Sequence, residues 1–183
     1  MIIIAITGAS GIIIAVKLLN ILKDKGINTE LIISKAAEKV IEAETEYKIA
    51  DLHQFSTKHY EADDLAAPPA SGSHKIDAMI IVPCTMKTLA AIANGYADNL
   101  ITRAADVMIK EKRKLILIVR ESPLSVIHLG NMLKLARLGV IIAPPIPSYY
   151  TKPESVDELV NYTVGRILDQ IGIDIGIKRW GEK

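Results

Sequence analysis

The feature that most constrains this chain is a short aliphatic run that stops on a glycine turn and is followed at once by a helical pattern. Ile2-Ile3-Ile4-Ala5-Ile6 leads into Thr7-Gly8-Ala9-Ser10-Gly11, after which Ala15, Leu18, Leu19 and Leu22 keep helical spacing. An unbroken apolar run between turn residues fits a strand buried on both faces, and the period behind it fits an amphipathic helix. Gly26 ends that helix. Thr29 to Ile33 forms a second strand and stops at Ser34, which is suited to cap a helix through Ala37, Val40 and Ile41. Further strands are predicted at Ala78–Val82, Lys114–Val119 and Gly139–Ala143, each separated from the next by a helical segment.

Strict alternation of strand and helix implies right-handed crossovers and a mainly parallel sheet covered on both faces. The expected fold is therefore α/β: a Rossmann-like or flavodoxin-like three-layer α/β/α arrangement, with residues 1–183 forming one domain. A chain of 183 residues fits one domain of about 100 to 200 residues and buries roughly 70% of its unfolded surface without metal or disulfide. The last helix carries the clearest signature. Ser155-Val156-Asp157-Glu158 reads as a capping box ahead of an apolar face formed by Val156, Leu159, Val160, Val164, Ile167, Leu168 and Ile171. Residues 46–76 and 144–153, rich in polar residues or proline, read as loops.

Charge and composition exclude several classes. Lysine plus arginine (22) nearly balance aspartate plus glutamate (21), so the broad basic field of a nucleic-acid binder is missing. No apolar run reaches the roughly 20 residues that span a bilayer, which argues against a membrane protein. The single cysteine, Cys84, and a start without an export pattern point to the cytoplasm. Half the residues are hydrophobic and only 4% aromatic, so the core is aliphatic, and some of that apolar surface is expected between subunits of a homo-oligomer.

In an open parallel sheet, ligands sit outside the carboxyl ends of the strands. Five segments would meet on that rim: Gly8 to Gly11, Ser34-Lys35, Pro83 to Thr88, Arg120-Glu121 and Pro144 to Tyr150. Gly8-Ala9-Ser10-Gly11 is either a plain tight turn or a helix start whose free N–H groups hold a mononucleotide phosphate. Ser34 either caps its helix or also bonds a ligand. Thr85, Met86, Lys87 and Thr88 offer hydroxyls and backbone donors to a planar ligand. Cys84 lacks a histidine nearby in sequence to make it a nucleophile, and a buried structural thiol is the simpler reading. The same scatter of histidines argues against a metal site. Arg103 and Lys110 share a helix face and are either surface ion-pairing groups or holders of a dianion. Arg120, ending an aliphatic strand, points to function, because a charge there is costly without a task.

Taken together, these blocks resemble the UbiX-type flavin prenyltransferases. The likeness rests on Thr7 to Gly11, Ser34 to Ala37, Ala70 to Ser73, Pro83 to Ala91, Leu100 to Lys110, Arg120 to Pro123, His128 to Leu135, Pro144 to Tyr150 and Arg179-Trp180. The resemblance implies an enzyme that joins a dimethylallyl group from dimethylallyl monophosphate to reduced FMN, at N5 and then C6, without a metal. It implies FMN contacts from Gly8, Ala9, Ser10, Ser34, Thr85, Met86, Lys87, Thr88 and Arg103. It implies phosphate contacts from Lys110, Arg120, Tyr150 and Arg166, a pocket lined by Ser71 and Ser73, and acidic groups Glu44 and Glu121 beside the reacting centre, with Lys110 completing the catalytic set. A dodecamer and delivery of prenylated FMN to a UbiD-type decarboxylase are implied in the same way. Leu65 stands where some relatives have tryptophan, and Thr85 and Ser122 exchange one hydroxyl residue for another. Two other readings remain open: a non-catalytic FMN-binding regulatory or carrier subunit, and a flavin-dependent cysteine-conjugate decarboxylase, whose P-A-S-A-N-T block is absent here.

Overall fold

The computed structural model describes residues 1–181. Six strands form one all-parallel sheet: β1 (Ile2–Ile6), β2 (Thr29–Ile33), β3 (Lys58–Glu61), β4 (Ala78–Cys84), β5 (Lys114–Val119) and β6 (Ile141–Ile142). Seven helices connect or flank them: α1 (Ile12–Asp24), α2 (Lys35–Glu44), α3 (Ile49–Gln54), α4 (Met86–Ala93), α5 (Leu100–Lys110), α6 (Val126–Arg137) and α7 (Val156–Asp169). The strand order is β3-β2-β1-β4-β5-β6.

Successive strand side chains point to opposite faces, which splits the aliphatic core in two. Ile2, Ile4 and Ile6 pack with Leu31, Ile80 and Ile116 beneath α1 and α7, while Ile3, Ala5, Ile32, Met79 and Leu117 pack beneath α4, α5 and α6. Both layers are buried and aliphatic, as a parallel sheet covered on both faces requires. Gly26 stops α1 in a left-handed conformation (φ +66°), with Ile27 N–H closing on Leu22 O at 2.9 Å.

Several details differ from the sequence reading, among them β4, which runs on to Cys84 where Val82 was the expected end. Residues 46–76 are not a loop throughout: they contain α3, the edge strand β3 and a 3-10 turn at Pro68–Ala70. β3 is Lys-His-Tyr-Glu with only Tyr60 partly covered, so it carries no apolar pattern, and pairing with β2 alone makes it a strand. The last strand is shorter than expected, Ile141–Ile142 instead of Gly139–Ala143. At α7, Ser155 Oγ accepts from Glu158 N–H (3.2 Å), but the Glu158 carboxylate accepts from Glu154 N–H (2.8 Å) and the reciprocal capping-box bond is not made. Val156 stands 72% exposed, outside the packed face.

Candidate functional site

The strand order reverses between β1 and β4, and the carboxyl ends of those two strands open a crevice at that switch point. Thr7 laces its floor. Its N–H and Oγ1 both donate to Pro83 O (3.2 and 2.7 Å), and Oγ1 accepts from Thr85 N–H at 2.9 Å. The side chain is buried and fully satisfied, so it fixes the β1 turn to the β4 turn. The sequence reading assigned Thr7 no role of its own, because the signal is a contact across 76 residues.

The crevice has a volume of about 490 Å³, within the usual range for a small-ligand site. Thr7 and Gly8 border it from β1, Ser34 to Ala36 from the start of α2, Glu61 to Asp63 from the end of β3, Thr85, Lys87 and Thr88 from the start of α4, and Asn99 from the start of α5. Three helix N-termini therefore converge. Ser34 Oγ caps α2 by accepting from Ala37 N–H (3.2 Å), Thr85 Oγ1 caps α4 by accepting from Thr88 N–H (3.1 Å), and Asn99 caps α5 by accepting from Thr102 N–H (3.0 Å). Aligned peptide dipoles leave partial positive charge at each of these ends, and such a cavity suits an anion with a planar, partly apolar body. Gly8 is required by close approach: a Cβ there would lie 2.7 Å from Ala36 Cβ and 2.9 Å from the Ala36 carbonyl carbon.

The N-terminus of α1 is not among the open ends, which favours the tight-turn alternative for Gly8 to Gly11. Gly11 and Ile12 N–H groups donate to Glu44 Oε2 at 2.9 and 3.1 Å, so the anion at that terminus is the protein's own carboxylate. Partial burial acts to raise the Glu44 pKa, but hydrogen bonds from Ser10, Gly11 and Ile12 and the charge of Arg120 prevail and hold it below the ordinary value. Ser10 thus bonds Glu44, and Arg120 faces the same rim. Met86 lies outside the crevice lining and packs against the α4–α5 core, which leaves its backbone as the part available to a ligand.

The remaining cations are paired. Arg103 Nε donates to Ala70 O (3.1 Å) and its Nη1 to Asp106 (2.6 Å), joining α5 to the Pro68–Ala70 turn. Lys110 pairs with Glu111, both exposed. Arg166 bridges to Asp169 (2.7 Å), and the Tyr150 and Tyr162 hydroxyls share a hydrogen bond of 2.5 Å. Arg166 also borders a smaller cavity of about 220 Å³ between α7 and Pro144–Ser148. Ser71 and Ser73 hydroxyls are exposed and 2.8 Å apart. Glu121 is exposed and accepts from Ser122 N–H (3.0 Å).

One chain does not bring Lys110 to Arg120. Lys110 ends α5 before β5 begins, and Arg120 leaves the opposite end of β5, a strand of about 20 Å at the usual rise per residue. Cys84 is buried on the β4 strand and burial pushes its thiol up to about 12, as suits a structural group. His53 and His59 stack on one another at 3.8 Å, away from it on α3 and β3, and among the described residues no group of three or more metal-binding side chains converges.

A doubly wound sheet with capped helix ends around its switch-point crevice defines a nucleotide-binding α/β protein. Comparison with known proteins narrows this. The Flavoprotein family matches residues 1–168. The flavin prenyltransferase UbiX of Methanocaldococcus jannaschii is 52% identical over 181 residues, 98% of each chain. A crystal structure of AnUbiX (PadA1) in complex with FMN and dimethylallyl pyrophosphate aligns with TM-score 0.98 at 45% identity, over 100% of this chain and 97% of that one. A dodecameric FMN-dependent UbiX-like decarboxylase from Escherichia coli O157:H7 aligns with TM-score 0.97 at 46% identity, over 99% of both chains. The chain belongs to the flavoprotein family and, within it, to the UbiX-type flavin prenyltransferases.

Proposed function

We propose that this chain, as a single flavin-binding domain over residues 1–183, transfers a dimethylallyl group from dimethylallyl monophosphate to FMN in the cytoplasm. Full-length kinship with flavin prenyltransferases carries the reading. The crevice fits FMN on its own terms: its volume accepts a tricyclic ring, and the α2 and α4 N-termini face an anion, with Ser34, Thr85, Lys87 and Thr88 as the nearest side chains. Gly8, Ala9 and Ser10 would border the ring, and Arg103 would steady the Pro68–Ala70 turn beside it. Reduced FMN supplies the electron-rich atoms N5 and C6 to which the dimethylallyl carbons become joined.

The chain's own residues do the remaining work. Departure of phosphate from an allylic carbon builds negative charge on the leaving oxygens, and fixed cations stabilise it most. Lys110, Arg120 and Arg166, with the Tyr150 hydroxyl, would hold that phosphate, while Ser71 and Ser73 line the adjoining pocket. Since Lys110 and Arg120 sit at opposite ends of β5, their meeting requires a second copy. Assembly into a homo-oligomer, as a dodecamer, is therefore part of the proposal. Glu44, held ionised by its donors, would place negative charge beside the reacting centre, while Glu121 and the released phosphate would deliver a proton to the alkene and remove one from the ring-closing carbon. The product would go to a UbiD-type decarboxylase. Leu65 replaces an aromatic wall with an aliphatic one and removes a cation–π contribution to the allylic fragment.

Anaerobic incubation with reduced FMN and dimethylallyl monophosphate should yield flavin heavier by one C5 unit in mass spectrometry. Unmodified flavin from an FMN-loaded sample would defeat the proposal. A carrier subunit would instead keep full partner activation in Lys110→Ala and Glu121→Gln variants.

A further inference from the structure

One charged side chain is wholly buried without belonging to the crevice. Glu30 lies on β2, in the run Thr-Glu-Leu-Ile-Ile, with 0% of its side chain exposed. A carboxylate costs several kcal/mol to bury unless it is well bonded. Both its oxygens face His74 Nε2 at 3.0 Å, and Oε1 also accepts from the Tyr60 hydroxyl at 3.2 Å. An ionised carboxylate only accepts, so His74 Nε2 carries the proton between them. Burial and the Glu30 charge push the Tyr60 hydroxyl up, which keeps it a donor.

His74 is the residue that leaves the Ser71-Gly72-Ser73 turn. Its N–H donates to Ser71 O (3.2 Å), and Ser73 N–H donates to Ser71 Oγ (3.3 Å). From the other side the Arg113 guanidinium forks onto two carbonyls of the same segment, His74 O at 2.7 Å and Gly72 O at 2.8 Å. Lys110 lies against the turn, its Nζ 2.7 Å from where a Cβ on Gly72 would be. The turn's backbone is thus tied inward at both flanks while its two hydroxyls stay outside. A buried charged hydrogen bond adds little net stability over well-packed apolar residues. What it adds here is a fixed address for one end of an exposed turn.

We infer that Glu30, acting through His74, and Arg113 from the opposite flank are positioning residues that hold the Ser71–Ser73 hydroxyls and Lys110 in register for the isoprenoid phosphate. This rests on the functional reading above and deepens it. His74→Ala cuts the tether and leaves Glu30 buried without its main donor. His74→Gln restores an N–H donor of similar reach. Arg113→Lys keeps the charge and loses the fork.

The test uses FMN-loaded protein and two readouts. Hydrogen–deuterium exchange of the 70–76 backbone should accelerate in His74→Ala and Arg113→Lys and return toward wild type in His74→Gln. Calorimetric affinity for dimethylallyl monophosphate should fall by about tenfold in the first two variants, with FMN affinity unchanged and His74→Gln close to wild type. If His74→Ala does not fold, Arg113→Lys against His74→Gln carries the comparison. Unchanged exchange, or equal loss of FMN and isoprenoid-phosphate affinity, or a His74→Gln as impaired as His74→Ala, would overturn the inference. Wild-type protein that neither binds the phosphate ester nor forms product would sink the functional reading instead, while exchange still reports whether the turn is tethered.

Discussion

At the scale of single residues, Glu44 and Cys84 show how surroundings assign a task. Glu44 gives negative charge to the start of α1 and accepts two of its unpaired N–H groups. Its folded-state pKa lies below the ordinary glutamate value, so its stabilising effect is complete above about pH 4.3, the unfolded-chain value, and fades as pH falls through the lower folded value. Glu44→Gln keeps an acceptor and loses the charge. It should cost about 0.3–1 kcal/mol near neutral pH, measured by urea denaturation, and the gap to wild type should close in acid; a gap independent of pH would contradict the charge argument. Cys84 makes the opposite case. With its thiol raised to about 12 and no exposure, it should resist iodoacetamide in the folded protein and react after denaturation. Labelling of the native protein at pH 8, with loss of activity, would contradict the structural role of Cys84.

Among elements, what was legible in the sequence follows from which forces are local. β1, β2 and β5 match their expected bounds because each is a short apolar run closed by residues that cannot continue it. Ser34 and Ser155 cap their helices as expected, because a cap needs only a hydroxyl and an N–H three residues on, and Thr85 does the same where only ligand contacts were expected of it. β3 was not legible, since its residues become a strand only by lying beside Glu30 to Ile33. Of the five rim segments, those at Gly8, Ser34-Lys35 and Thr85 to Thr88 line the crevice, while Pro144 to Ser148 borders a separate cavity; the occupant of the α1 N-terminus was not legible either, since Glu44 reaches it from 33 residues away. Gly8 joins two elements in the same nonlocal way, since the β1 turn passes Ala36 of α2 with no room for a methyl group. Gly8→Ala should therefore destabilise the protein by about 1–3 kcal/mol and weaken FMN binding as the turn backs away from α2. Denaturant unfolding and flavin fluorescence titration read the two effects. A stable variant with intact FMN affinity would show that the turn relaxes at no cost.

For the whole molecule, the question is why an aliphatic chain leaves so much apolar surface outside. Along α6, Val126, Ile127, Leu129 and Leu133 are 82, 70, 51 and 53% exposed, and only Met132 and Leu135 of that helix are buried. A contiguous patch of this kind marks an interaction surface. The same chain separates Lys110 from Arg120 by the length of β5. On the function proposed above, both facts would have one resolution: copies would pack through α6 and neighbouring apolar groups, and the phosphate clamp would form where they meet. A pair of charges placed on that surface, Val126→Asp with Ile127→Asp, leaves both cores and the switch-point crevice untouched, because neither side chain reaches them. The variant should give a smaller particle by light scattering and retain FMN. Its prenylation rate should fall by about a hundredfold or more, the loss typical of misplaced catalytic groups. A small particle that still prenylates flavin at the wild-type rate would mean that one copy holds the phosphate by itself, and that the exposed face of α6 serves something other than the reaction.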